Sequence, residues 1–270
     1  MKLRAIEVPY MSGDPHHAAC KGPARLAAGS GLPSSAVEVE VGGAASHEAA
    51  FAVNRALADR VREVVADGET PLVLPGCCDA AMGVLAGVEH GRCGVVWIDA
   101  HGDFNTPETS PSGFLPGMAL AAIVGHCHTE AWARMGDATP VAEDATLLLG
   151  TRDLDPAERV RLERSPARTI EWREGRPLGD PLQAIETLAR RVDDVYLHID
   201  LDGLDPELVP SVIPYRSPGG LSLAQATDVI AAVRARLRIV AATVSYYSPE
   251  LDVDDRTLRT ALALISAIAG

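Results

Sequence analysis

Short β-branched or apolar runs alternate along this chain with stretches whose apolar residues recur every three or four positions, and this alternation restricts the fold most. Eight runs read as strands: Leu3–Val8, Val37–Val41, Leu72–Leu74, Val95–Asp99, Thr146–Leu149, Thr169–Trp172, Val195–Leu201 and Ile239–Val244. Between them, Ala50, Val53, Leu57, Val61 and Val64 mark one face of a helix that Asp67-Gly68 ends. Leu223, Ala226, Ile230, Val233 and Leu237 follow a Ser222 cap, and Leu258, Ala261, Leu262, Ile265 and Ile268 form a last amphipathic helix. Parallel neighbours need crossover connections, and helices supply them, so a largely parallel sheet covered on both faces is expected. Nothing in the 270 residues reads as a repeat or a dividing linker, so a single α/β domain over 1–270 is expected.

Charge and cysteine usage narrow the partners. Lys+Arg 24 against Asp+Glu 37 leave a net charge of −13, and no basic run occurs, which argues against binding a phosphate backbone. MKLRAIEVPY lacks a signal-peptide layout, and no run reaches the roughly 18 apolar residues of a membrane span. Five cysteines are an odd, sparse set, unlike a secreted disulfide framework. The expectation is a cytoplasmic protein acting on a small molecule, with neither nucleic acid nor membrane as partner.

Gly- and Pro-rich segments follow several strands: Pro75-Gly76, Gly102–Pro116, Gly150–Pro156, Gly203–Gly220 and Ser245–Asp254. Open α/β sheets bind ligands beyond the carboxyl ends of their strands. Asp99, His101 and Asp103 alternate along one extended segment and so face one side, as do His198, Asp200 and Asp202. An isolated Asp-x-Asp is commonly a turn or a cap. Two such clusters in the loops of one sheet point instead to one or two divalent metals, because like charges this close resist burial unless a cation neutralises them.

The wording of these loops is specific. Asp99-Ala-His-Gly-Asp-Phe-Asn-Thr-Pro-Glu-Thr-Ser-Pro-Ser-Gly113 resembles the DAHxDxNTPxTxxSG signature of the arginase and agmatinase (ureohydrolase) family, and Asp200-Leu-Asp-Gly-Leu-Asp-Pro206 resembles its DxDxxDP signature. Gly150-Thr-Arg-Asp-Leu-Asp-Pro156 is similar to its GxRDxDP segment, and Gly22-Pro-Ala-Arg-Leu-Ala-Ala-Gly29 is loosely similar to its N-terminal segment. The resemblance implies a three-layer α/β/α sandwich around an eight-stranded, mainly parallel sheet. It also implies two divalent ions, usually manganese, whose bridging hydroxide attacks a guanidinium carbon and releases urea. Carried over, Asp99 and Asp200 bridge the metals, Asp103 ligates one and takes the nucleophile's proton, and His101 and Asp202 bind the other. Asp103 and His101 are then the expected catalytic residues. A homo-oligomer, trimer or hexamer, is the family's common state.

Three departures bear on the chemistry. Leu74-Pro-Gly-Cys-Cys-Asp79 puts Cys78 where the family's GGDH segment has the histidine of the first metal. A thiolate favours zinc or iron over manganese, and its extra negative charge weakens a metal-bound nucleophile. Cys77 is an alternative donor, and both cysteines also read as small buried residues. Phe114 and Pro116 replace the family's Asn and proton-shuttling His, leaving His198, His126 and His128 as candidates by residue type alone. His198 shares a face with Asp200, a position that packs behind the metals in many relatives, so a supporting role is expected. Tyr246 stands where the family's Glu pairs with the guanidinium, and a phenol cannot form that bidentate pair.

The other end of the pocket matches the family better. Asn105, Ser112, Asp155 and Glu158 stand where arginases hold the α-carboxylate and α-amine of an amino acid. The expected function is therefore metal-dependent hydrolysis of a C–N bond in a guanidino- or amidino-type amino acid, hydroxyarginine or another modified guanidine among them. Two alternatives stand beside it: a catalytically silent binding protein of the same fold, and a mononuclear zinc amide hydrolase.

Overall fold

The structure, a computed structural model, describes residues 1–42, 45–88, 91–136, 139–212, 214 and 216–270. Its strands are β1 (Leu3–Val8), β2 (Ser34–Ala36), β3 (Thr70–Pro75), β4 (Cys93–Ile98), β5 (Thr146–Leu149), β6 (Arg168–Ile170), β7 (Trp172–Arg173), β8 (Arg176–Pro177), β9 (Asp194–Asp200) and β10 (Arg238–Ser245). Its helices are α1 (Gly22–Ser30), α2 (His47–Ala66), α3 (Ala81–Gly87), α4 (Ala119–Ile123), α5 (Thr129–Ala133), α6 (Pro156–Arg164), α7 (Pro181–Ala189), α8 (Leu223–Arg236) and α9 (Arg256–Ala269). Eight strands form one sheet in the order β2-β1-β3-β10-β9-β4-β5-β6, with every neighbouring pair parallel.

Alternation along the strands divides the core between two faces. Val96 and Ile98 of β4 and Val195, Leu197 and Ile199 of β9 pack with α1, α7, α8 and α9. Val95 and Trp97, with Tyr196, pack on the other side with α2 to α6. Both faces are covered, which is why the strands read as continuous apolar runs. The helices begin where their caps direct. Ser46 accepts from the Ala49 amide at the start of α2, and Ser222 and Gln225 form a reciprocal capping box on α8. Ala50, Val53, Leu57, Val61 and Val64 are the buried stripe of α2, as their spacing requires.

Two expected strands are placed differently. The second strand is Ser34–Ala36, not Val37–Val41, and it pairs Ser34 to Ala36 with Ala5 to Glu7 of β1. Val37 still donates to the Glu7 carbonyl at 2.8 Å. Beyond it, Val39 bonds through both its amide and its carbonyl to the Tyr10 hydroxyl, so a side chain replaces the ladder there. The run Thr169–Trp172 is split. Ile170 is the last residue to pair with β5, whereas Trp172 turns its amide to the Thr151 carbonyl and starts a two-stranded antiparallel ribbon, β7 with β8. No helix among the described residues is long and apolar enough to cross a membrane.

Five adjacent strands, β3, β10, β9, β4 and β5, send their C-terminal loops to one edge of the sheet. These loops carry Cys78, Tyr246, Asp200 with Asp202, Asp99 with Asp103, and residues 150–158. The β9 loop lies so close to the end of β4 that a Cβ on Gly203 would come within 2.9 Å of the Asp99 amide nitrogen and 3.1 Å of its Cα. Gly203→Ala should therefore cost about 1–3 kcal/mol through backbone displacement, read as a lower melting temperature. An unchanged melting temperature would show that the two loops do not abut.

Candidate metal centre

The end of each strand aims its carboxylates by tying them to backbone amides. Asp99 Oδ1 accepts from the His101 amide at 2.7 Å and Oδ2 from Trp97 Nε1 at 3.1 Å. Asp200 Oδ1 accepts from the Asp202 amide at 2.9 Å, and Asp202 Oδ1 from the Ala100 amide at 3.2 Å. Cys78 begins a short 3-10 turn after β3, and its thiol donates to Asp200 Oδ2 at 2.8 Å. Ser245, at the end of β10, donates to the same oxygen at 3.0 Å. His101 Nδ1 lies 3.3 Å from Asp99 Oδ1 and 3.2 Å from Asp202 Oδ2.

Two groups of donors result, each with its ligand atoms within 4.8 Å of one another. One joins Cys78, Asp99, His198 and Asp200, all buried. The other joins Asp99, His101 and Asp202 and is more open. Asp99 belongs to both. Asp103 stands beside them in a left-handed backbone conformation (φ +48°), and its Oδ2 is buried with no hydrogen-bond partner. An L-residue rarely adopts that conformation unless its surroundings impose it.

The electrostatics are those of an under-neutralised cluster. The four aspartates are between 1% and 5% exposed. Burial, reinforced by Asp202, pushes Asp99 up to about 6. Burial and neighbouring carboxylates hold Asp103 and Asp200 well above the usual range. Burial would pull His101 down, but Asp202 and Asp99 outweigh it and raise its pKa far above the ordinary histidine value. Burial likewise opposes the ionisation of Asp202, yet His101 wins and lowers it. Burial, with Cys77 and Asp200 beside it, drives the Cys78 thiol well up. Protons thus relieve the repulsion that divalent cations would otherwise relieve. Carboxylate, imidazole and sulfur donors, with the orphaned Asp103 Oδ2 and His198 Nε2, suit such cations.

Above the cluster lies a cavity of about 290 Å³, lined by Cys78, the four aspartates and His101. Asn105, Ser112, Asp155, Glu158 and Tyr246 line it as well, so every residue expected to hold metal or substrate reaches one space, whereas none of the three candidate proton-shuttling histidines does. Asn105 Nδ2 donates to Asp155 Oδ2 at 3.0 Å. Glu158 closes the capping box of α6, accepting from the amides of Phe104 (2.8 Å) and Asp155 (3.3 Å); burial pushes it up to about 7. Ser112 Oγ accepts from the Phe114 amide. Tyr246 is 2% exposed and has φ +66°. His126 pairs instead with Glu143 at 2.8 Å, and His128 sits edge-on to His47, both away from this lining.

Arg152 is the supporting residue that sequence reasoning passed over. Its guanidinium donates to the carbonyls of Gly150, Asp202, Gly203, Leu204 and Ser217, stapling the β5 loop to the β9 loop. Its place inside the GxRDxDP segment was the available signal. Trp97, two residues before Asp99 and hence on the same face, was another.

A family model described as the arginase family matches residues 17–270. The chain is 37% identical over 225 residues to an arginase of Bacillus caldovelox, an alignment covering 80% of this chain and 74% of the relative. It is 35% identical over 226 residues to an arginase of Bacillus subtilis, covering 82% and 75%. The solved structure of the Bacillus caldovelox arginase superposes with a TM-score of 0.90 at 30% identity, covering 100% of this chain and 98% of that one.

The pKa shifts give the metal-free protein a definite pH dependence. Asp99 and Glu158, raised to about 6 and about 7 from ordinary values of 3.8 and 4.5, keep protons in the folded chain that the unfolded chain has already released. Stability should therefore fall as pH climbs from about 4.5 to about 7. Asp103 and Asp200 act in the same sense and His101 adds a loss above its ordinary value, which together outweigh the one opposing group in this range, His198, whose burial lowers it to about 3. Divalent metal should remove the trend, because it binds the ionised donors. Thermal melts across this range, with and without zinc, check it; a metal-free protein that gains stability toward neutral pH would contradict the burial of these charges.

Proposed function

The chain belongs to the arginase family, and from that footing we propose that its substrate is an α-amino acid with a weakly basic guanidine or amidine side chain, hydroxyarginine being the leading example. The chain is a hydrolase of C–N bonds in linear amidines, and its family works with a pair of metal ions. The observation that carries the substrate proposal is Tyr246, buried against the same cavity as Cys78, Asp99 and Asp200. Arginine's guanidinium is permanently charged and is best held by a carboxylate facing its fork. A phenol offers one hydroxyl instead, which suits a guanidine that binds uncharged.

Asn105, Ser112, Asp155 and Glu158 hold the amino-acid head group at the mouth in this reading, with Asn105 and Asp155 already fixed to one another. Asp99, Asp200, Asp202, His101, Cys78 and Asp103 hold the metals, and a bound divalent pair would supply acidified water near neutral pH. Asp103 Oδ2, buried beside the cluster without a hydrogen-bond partner, would take the nucleophile's proton and pass it to the leaving amine. Proton transfer falls to Asp103 because Phe114 and Pro116, which line the cavity, can move none. His101, the most open of the donors, orients the bound side chain over the cluster. Cys78 biases the metal it binds toward zinc or iron over manganese.

The test compares kcat/KM for hydroxyarginine, arginine and agmatine, reading urea or hydroxyurea release. Hydroxyarginine should be preferred. Tyr246→Glu should move the ratio toward arginine by roughly 10- to 100-fold, the worth of one charge-assisted hydrogen bond. A wild-type preference for arginine would overturn the reading.

A further inference from the structure

Below the cluster, β9 carries a histidine to which the ligand set implied by the family motifs gives no metal. His198 is fully buried. One of its ring nitrogens lies within 4.8 Å of Cys78 Sγ and of carboxylate oxygens of Asp99 and Asp200. Nδ1 is hydrogen-bonded to the Tyr196 hydroxyl at 2.9 Å, and that hydroxyl meets Thr243 Oγ1 at 2.8 Å. The ring lies flat against Trp97, with centroids 3.6 Å and planes 7° apart. Nε2 has no hydrogen-bond partner.

A fully buried nitrogen without a partner is rare and calls for a reason. Here the rest of the ring is over-determined. If the Tyr196 hydroxyl donates to Thr243, its oxygen accepts from Nδ1–H, and the lone pair falls on Nε2. One nitrogen held by a hydrogen bond, the plane clamped by an indole and the other nitrogen bare is how a metal-binding histidine is presented.

We infer that His198 is itself a metal ligand, its Nε2 sharing one ion with Cys78, Asp99 and Asp200. Four donors set tetrahedrally at about 2.0–2.3 Å from one ion lie roughly 3.3–3.6 Å apart, so ligand atoms within 4.8 Å of one another need to close by about 1.5 Å at most. The neutral imidazole adds a donor without adding to the negative charge that the thiolate brings. Sulfur, nitrogen and two oxygens around a small closed site suit zinc or iron(II). The more open group of Asp99, His101 and Asp202 has no sulfur, so the two positions differ in metal preference.

This inference rests on the cluster holding metal, and the experiment separates the two. The intact chain is loaded with zinc, its metal content is measured, and X-ray absorption at the zinc edge counts imidazole and sulfur neighbours. Two zinc ions per chain sharing two imidazoles are expected, falling to one imidazole in His198→Asn, with affinity for one ion weakened beyond the 10–100-fold typical of a lost supporting partner. Zinc bound with a single imidazole in the wild type overturns the role of His198 alone. No bound zinc overturns the metal reading as well. Should His198→Asn fail to fold, the cobalt-loaded wild type decides: two hyperfine-shifted exchangeable imidazole N–H resonances support the inference, and one refutes it.

Discussion

Four carboxylates sharing one buried spot dominate the energetics of this protein. At an effective dielectric near 20, two unit charges about 4 Å apart interact by about 4 kcal/mol, comparable to a large share of a domain's net stability. Burial first, and that repulsion after it, raise the pKa values of Asp99, Asp103 and Asp200, and the lowered value of Asp202 shows what a single positive neighbour, His101, does against both. Divalent cations, on which the family depends, would offset that repulsion at such a site.

Much of the surrounding structure holds these groups where they would not otherwise stay. Backbone amides fix one oxygen of each strand-end carboxylate. Arg152 gathers five carbonyls of the adjoining loops, matching a guanidinium's fixed fork to a surface that has only acceptors. Beneath the aspartates, Trp97, Tyr196, His198 and Thr243 make a polar row inside an otherwise apolar face, and the sheet register places Trp97 and Thr243 beside His198. The same aspartate scaffold that marks the arginase family can therefore carry different chemistry at its edges, at Cys78 on one side and Tyr246 on the other.

How far the sequence could be read depended on whether a signal was local. The i, i+2 rule placed Asp99 with His101 and Asp200 with Asp202, and the structure keeps both pairs on one edge. The stripe of α2 and the caps of α2 and α8 were equally visible, since a helix is specified by near neighbours. Val37–Val41 misled because Val37, Val39 and Val41 alternating with Glu38 and Glu40 resemble a half-buried strand, while the ladder in fact stops when Tyr10 takes over its hydrogen bonds. Trp172 likewise left its expected strand for a contact with Thr151, twenty-one residues away.

Residue types and spacing by themselves determined that the chain is a parallel α/β protein, that acidic loops follow its strands, and that those loops spell arginase-family motifs. All of this is written in contacts a few residues long. Only the tertiary structure decided that β3, β10, β9, β4 and β5 lie side by side, that Arg152 staples two loops, and that His198 meets Cys78, 120 residues distant. Strand order arises from burying both faces of the sheet at once, a balance summed over the whole molecule that no short segment of sequence contains.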